Sequence, residues 1–174
     1  MKPGRREALT LAAVGAAAAG AGLVASTLWL QSGSGAAALL SSVFPDLSGR
    51  PRRLLEWRGR ILLCNFWATW CAPCREEMPM LAQIREKYAA NGVEFVGIGI
   101  DSADKIREFV KEYPVGYPIL AADATAIDLM RALGNSAGAL PFTVILDRAG
   151  AVGYRKLGMI VRGDLEGVLA GFLR

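Results

Sequence analysis

One short motif constrains this chain more than anything else: Trp70-Cys71-Ala72-Pro73-Cys74, set between two segments of different periodicity. Before it, Ile61–Trp67 is a short apolar run, with Asn65 its one polar residue, bounded by Arg58-Gly59-Arg60, the pattern of a buried strand. After it, Met78, Leu81, Ile84 and Tyr88 share one side of a helix expected from about Cys71 to Ala90 and stopped by Asn91-Gly92. Residues i and i+3 are neighbours on a helix surface, so Cys71 and Cys74 come within disulfide reach. At a helix N-terminus Cys71 feels the positive end of the dipole and unpaired N–H groups, which favour its thiolate and make it the nucleophile. Cys74, inside the first turn and more buried, is suited to resolve a mixed disulfide. Pro73 costs little so early in a helix, where its missing N–H is not needed.

The rest of the chain alternates in the same way. Val93–Ile100 reads as a second strand, and Ser102 as the cap of a helix with Ile106, Phe109, Val110 and Tyr113 on one face. Pro114 and Pro118 bracket a short strand expected near Tyr117–Leu120, and a helix is expected over about Ala124–Leu133, ending at Gly134. Phe142–Leu146 and Ala151–Lys156 flank Asp147-Arg148-Ala149-Gly150, a hairpin turn. Leu165, Val168, Leu169 and Phe172 mark a closing helix. This order implies an α/β fold, a central mixed sheet with helices on both faces.

Composition removes several functions. The 174 residues include no histidine and three cysteines, too few ligands for a tetrahedral Cys/His zinc site. Cys–His nucleophilic catalysis and His-based copper delivery fail on the same count. Net charge is +4, and Lys2, Arg5 and Arg6 against Glu7 supply half of it. That leaves no footing for nucleic-acid binding, since Arg50, Arg52, Arg53, Arg58 and Arg60, interrupted by Glu56, read as a solvated loop or edge strand. Cys64, mid-strand, reads as a small buried hydrophobe.

No charge occurs between Ala8 and Pro45, and Ala8–Leu30 is apolar on every face. About 20 such residues span a bilayer, and the basic cluster ahead of them predicts a cytoplasmic N-terminus with the domain on the far side. The expected organisation is therefore an N-terminal apolar helix serving as membrane anchor or export signal over 1–30, a flexible tether over 31–42 and a folded domain over 43–174. Ala36-Ala37-Ala38 has the small-residue character of a cleavage site, and Arg5-Arg6 that of a twin-arginine signal, but the length of the apolar stretch favours an uncleaved anchor.

The run Asn65-Phe66-Trp67-Ala68-Thr69-Trp70-Cys71-Ala72-Pro73-Cys74-Arg75-Glu76-Glu77-Met78-Pro79 resembles the active-site segment of the TlpA/ResA branch of the thioredoxin superfamily. The similarity extends from about Val43 to the C-terminus, including Gly138-Ala139-Leu140-Pro141-Phe142-Thr143 and the Asp147–Gly150 turn. The resemblance implies a thioredoxin fold with an N-terminal β-hairpin and a central insertion. It implies membrane-anchored, extracytoplasmic, generally reducing thiol chemistry in cytochrome c maturation or cytochrome oxidase copper-centre assembly, recharged by a membrane thiol-relay protein and needing no cofactor beyond the Cys71/Cys74 pair. It also implies a cis Leu140–Pro141 bond in a loop facing the cysteines, with the Leu140 backbone pairing an extended client strand and Trp70, Ala72 and Pro73 forming client-facing surface. Pro79 becomes a helix kink.

Thioredoxins place a buried aspartate as proton acceptor where this chain has Asn65, and an amide is no carboxylate base. Glu77, three residues after Cys74, is the replacement the resemblance implies, because the resolving thiol must lose a proton before it attacks. A helix glutamate considered alone belongs in solvent. Within the same chemistry the alternative is an oxidant that donates its disulfide. From another class comes a Cu(I)-binding assembly module using both thiolates, disfavoured by the lack of His or Met-x-Met-like ligands. A peroxidase is weaker still, since Thr69 stands two residues before Cys71 rather than three.

Overall fold

The computed structural model describes residues 35–174; the anchor or export signal expected over 1–30 and the first part of the tether, 31–34, lie outside the described residues. Residues 35–41 are not a flexible tether but a short helix, α1. Ala36 and Leu39 are buried in the core beneath it. A side chain at Gly35 would collide with the carbonyl oxygen of Ala132, so only glycine allows this approach. Ser32-Gly33-Ser34-Gly35 reads as a tether, and the apolar run after it, Ala36–Leu40, is too short to read as a packed helix.

A two-stranded hairpin follows, β1 (Val43–Pro45) against β2 (Pro51–Arg53). It is turned by Asp46, which accepts from the backbone N–H groups of Ser48 and Arg50. Then come β3 (Ile61–Trp67), α2 (Ala72–Tyr88), β4 (Val93–Ile100), α3 (Ala103–Glu112), β5 (Ile119–Ala122), α4 (Ala126–Ala132), β6 (Phe142–Leu146), β7 (Val152–Leu157) and α5 (Arg162–Phe172). The main sheet has the order β5-β4-β3-β6-β7, with β3–β4 and β4–β5 parallel and β3–β6 and β6–β7 antiparallel. This is the thioredoxin fold, and α3 with β5 is the central insertion that adds an edge strand.

β3 lies at the centre and is buried along its whole length, which is why its sequence is apolar on both faces, Asn65 excepted, rather than alternating. Ile61, Leu63 and Trp67 face a core shared with Met78, Leu81 and Ile84 of α2, Ile106 of α3, and Leu165 and Leu169 of α5. Leu62, Cys64 and Phe66 face the opposite core, closed by α1 and by Met130 of α4. Gly92, at φ 79°, supplies the left-handed turn that lets the chain leave α2 and enter β4. Ser102 caps α3, accepting from the Lys105 N–H.

Two elements start later than their sequence suggests. Pro118 has no N–H for the ladder, although its carbonyl accepts from Gly97 N at 2.9 Å, so β5 begins at Ile119 and Tyr117 stays outside the strand. Asp123 accepts from Thr125 N at 2.9 Å, holding residues 124 and 125 in a turn before α4. Among the described residues no helix is long and apolar enough to cross a membrane.

The docking of α1 is open to direct test. Leu39→Ala empties a fully buried position and should lower the unfolding free energy by about 2–5 kcal/mol, read from the urea midpoint. An unchanged midpoint would return this segment to the status of a loose tether.

Candidate active site

The site forms where β3 ends and α2 begins. The backbone turns over residues 68–71, with Cys71 N donating to Ala68 O at 3.1 Å. Thr69 Oγ1 donates to the Asp101 carboxylate at the end of β4. That carboxylate also accepts from Ser102 N at 2.8 Å and pairs with Lys105 Nζ at 3.4 Å. Burial opposes ionisation of Asp101, but the hydrogen bonds from Thr69 and Ser102 N and the Lys105 charge together hold it below its ordinary range. This anchor was not visible in the sequence, where Asp101 is an ordinary strand-end residue ahead of a capping serine.

Cys71 is the N-cap of α2 and is joined to Cys74 by a disulfide with a Cα–Cα distance of 5.3 Å. Its sulfur makes no capping hydrogen bond in this oxidised form. Reduction frees Cys71 Sγ to accept from the open N–H groups of the first turn, which favours its thiolate. Cys71 is 5% exposed and Cys74 is fully buried. Ala72 and Pro73 are exposed between them, and Trp70 is 70% exposed beside Cys71. Cys64 is free and buried on the opposite face of the sheet, where burial pushes its thiol far up.

Glu77 is buried one turn beyond Cys74, the two Cβ atoms of such an i, i+3 pair lying about 5–6 Å apart. Its Oε1 accepts from Asn65 Nδ2 at 2.7 Å and its Oε2 from Ile160 N at 2.9 Å. Burial pushes the carboxyl above its ordinary value, and the hydrogen bonds from Ile160 and Asn65 pull part of that back. Asn65 also donates to Thr143 Oγ1 at 3.0 Å. Thr143 and Ile160 belong to the site and were not legible in sequence.

The Leu140–Pro141 peptide is cis. Leu140 is half-buried and Pro141 buried, immediately before β6. The carbonyl of Pro141 accepts from Gly158 N at 2.8 Å, so the loop after β7 is tied to both Pro141 and Glu77. That loop presents Met159 and Val161 to solvent. α2 continues through Pro79 without interruption. A cleft of about 680 Å³ opens between α2 and the end of α3, with Arg75 lying over the rings of Phe109 and Tyr113 at 5.7 and 5.9 Å. Among the described residues no group of three or more Cys, Asp or Glu is placed to hold a metal ion.

A disulfide-bonded Cys-x-x-Cys pair at the head of α2, in this sheet and helix arrangement, marks a thiol–disulfide oxidoreductase of the thioredoxin fold. The chain belongs to the Redoxin family, whose model matches residues 34–169. It is 33% identical over 129 residues to the thiol-disulfide oxidoreductase ResA of a Bacillus cereus strain, covering 73% of this chain and 72% of that one. A thioredoxin-related protein of Neisseria meningitidis serogroup B superposes with a TM-score of 0.65 at 32% identity, over 74% of this chain and 96% of that one. A thiol:disulfide interchange protein of the thioredoxin family from Chlorobium tepidum shares the fold, with a TM-score of 0.66 at 27% identity over 77% and 94% of the two chains.

Two tests follow from this geometry. Cys71→Ser should abolish disulfide reduction, while Cys74→Ser should accumulate mixed disulfides with clients on non-reducing gels; retained turnover in Cys71→Ser would overturn the assignment of the nucleophile. The second concerns Glu77, whose proton is held more tightly in the folded chain than in the unfolded one. Its contribution to stability is full below the ordinary 4.5 and is lost as pH rises through the higher folded midpoint. Glu77→Gln should abolish that decline, so unfolding midpoints of variant and wild type should diverge as pH rises above 4.5. Parallel curves would mean that Glu77 ionises normally.

Proposed function

We propose that the protein is an extracytoplasmic reductant of client disulfides, with residues 1–30 as membrane anchor or export signal, 31–34 as the remaining tether and a membrane thiol-relay protein as electron donor. The Cys71 thiolate attacks one sulfur of a client disulfide; that bond breaks, a client thiolate leaves and a mixed disulfide forms. Cys74 then gives its proton to Glu77 and attacks the Cys71 sulfur. The second client thiolate departs and Cys71–Cys74 is oxidised, so two electrons have passed to the client. Trp70, Ala72, Pro73 and the Leu140–Pro141 loop form the client-facing surface, the Leu140 backbone pairing with an extended client strand.

The observation that carries this reading is the environment of Glu77. A carboxylate one turn from the resolving cysteine, shielded from water and gripped by two donors, is what a buried thiol needs in order to lose its proton. Run backwards, the same group is an acid that protonates Cys74 as it leaves, so the site serves either direction and the potential decides between them. The resemblance to TlpA/ResA proteins favours reduction and suggests clients in cytochrome c maturation or copper-centre assembly.

Equilibrating the full chain against glutathione or dithiothreitol buffers measures that potential. A value near thioredoxin's, about −270 mV, is the expected outcome. One near DsbA's, about −120 mV, would make the protein an oxidant and overturn the proposal.

A further inference from the structure

Asn65 and Thr143 are directly paired across β3 and β6, and both side chains are buried. Asn65 Nδ2 serves two acceptors at once, Glu77 Oε1 at 2.7 Å and Thr143 Oγ1 at 3.0 Å. Its Oδ1 is buried with no partner. An amide whose donor is doubly used while its acceptor is orphaned is oriented for an anion, and here that anion is the Glu77 carboxylate.

An amide has a second face. Turned by half a rotation about its terminal bond, Asn65 presents Oδ1 where Nδ2 had been. A neutral Glu77 has a proton to donate to that oxygen, and the Thr143 hydroxyl donates as readily as it accepts. Each hydrogen bond in the row Glu77–Asn65–Thr143 then runs the other way, with no heavy atom leaving its place except the two exchanged amide atoms. The other carboxylate oxygen has no such freedom, because Ile160 N is a fixed donor. The proton of the neutral acid therefore sits on Oε1, on the Asn65 side.

We propose that Asn65 is a positioning residue that keeps Glu77 in place through its whole proton cycle, the Glu77–Asn65–Thr143 row reversing direction each time Glu77 gains or loses a proton. The inference rests on the reading of Glu77 as the proton acceptor of Cys74. An aspartate at 65 would suit only the neutral acid, and an apolar residue neither form. The titrating groups around Glu77 are Cys71 and Cys74 on its own helix and Tyr117 from the segment after α3, whose phenol burial keeps protonated. Asn65, Thr143 and Ile160 add none. In the disulfide form the two cysteines do not titrate, which leaves Glu77 to be followed alone.

The test is an NMR titration of the oxidised full chain, following the Glu77 carboxyl carbon and the Asn65 side-chain nitrogen together. The two resonances should move with one shared midpoint, and Glu77→Gln should flatten the Asn65 response. Asn65→Leu, close in shape but without a donor, should raise the Glu77 midpoint by about one pH unit or more. An Asn65 nitrogen that stays flat while wild-type Glu77 titrates would overturn the inference, and this measurement needs no variant to fold. So would a Glu77 midpoint unmoved by Asn65→Leu. Failure of the underlying reading has a different signature, a Glu77→Gln enzyme whose turnover and pH profile match wild type while the NMR coupling persists.

Discussion

Hydrogen bonding along both edges of β3 fixes where every reactive group of this protein lies. The strand is paired in parallel with β4 over its full length and antiparallel with β6 from Leu62 to Phe66. Held on both sides, it cannot slip by a residue without turning its apolar side chains to the wrong face. Its register sets Asn65 opposite Thr143, and its end delivers the chain into the turn that makes Cys71 the N-cap of α2. The thiol chemistry thus inherits its geometry from the most buried strand in the molecule rather than from a mobile loop.

That origin explains how an ionisable carboxyl is tolerated in the core beside α2. A carboxylate in an apolar layer is strongly disfavoured unless its oxygens are met by donors. The donors come from two directions, one from β3 and one from the loop after β7, and the same loop is tied to the carbonyl of Pro141. Glu77 and the Leu140–Pro141 segment are therefore parts of one hydrogen-bonded assembly. A shift of the loop after β7 is felt at both.

Much of this was legible in the chain. The β3, β4 and β6 runs stand out because doubly covered strands are apolar on both faces, each interrupted by a single polar residue (Asn65, Glu94 and Thr143), and the cysteine pair announces the start of α2. Glu77 was harder. In Arg75-Glu76-Glu77-Met78 nothing distinguishes the buried glutamate from its exposed neighbour, because the groups that hold it lie 12 residues before it and 83 after it. Only the resemblance singled it out. The packing of α1 was hidden for a similar reason, since its partner surface on α4 is assembled by the fold, and the late start of β5 follows from the single missing N–H of Pro118.

The third cysteine has a consequence of its own. Cys64 is sealed on the far side of β3 from the cysteine pair, so no reagent meets it until the helices covering that face lift away. Its modification is an internal clock for undocking of the α1 and α4 layer that covers it, independent of whatever happens at Cys71. The protein carries its own probe of native-state breathing beside its working thiols, separated from them by the thickness of one strand.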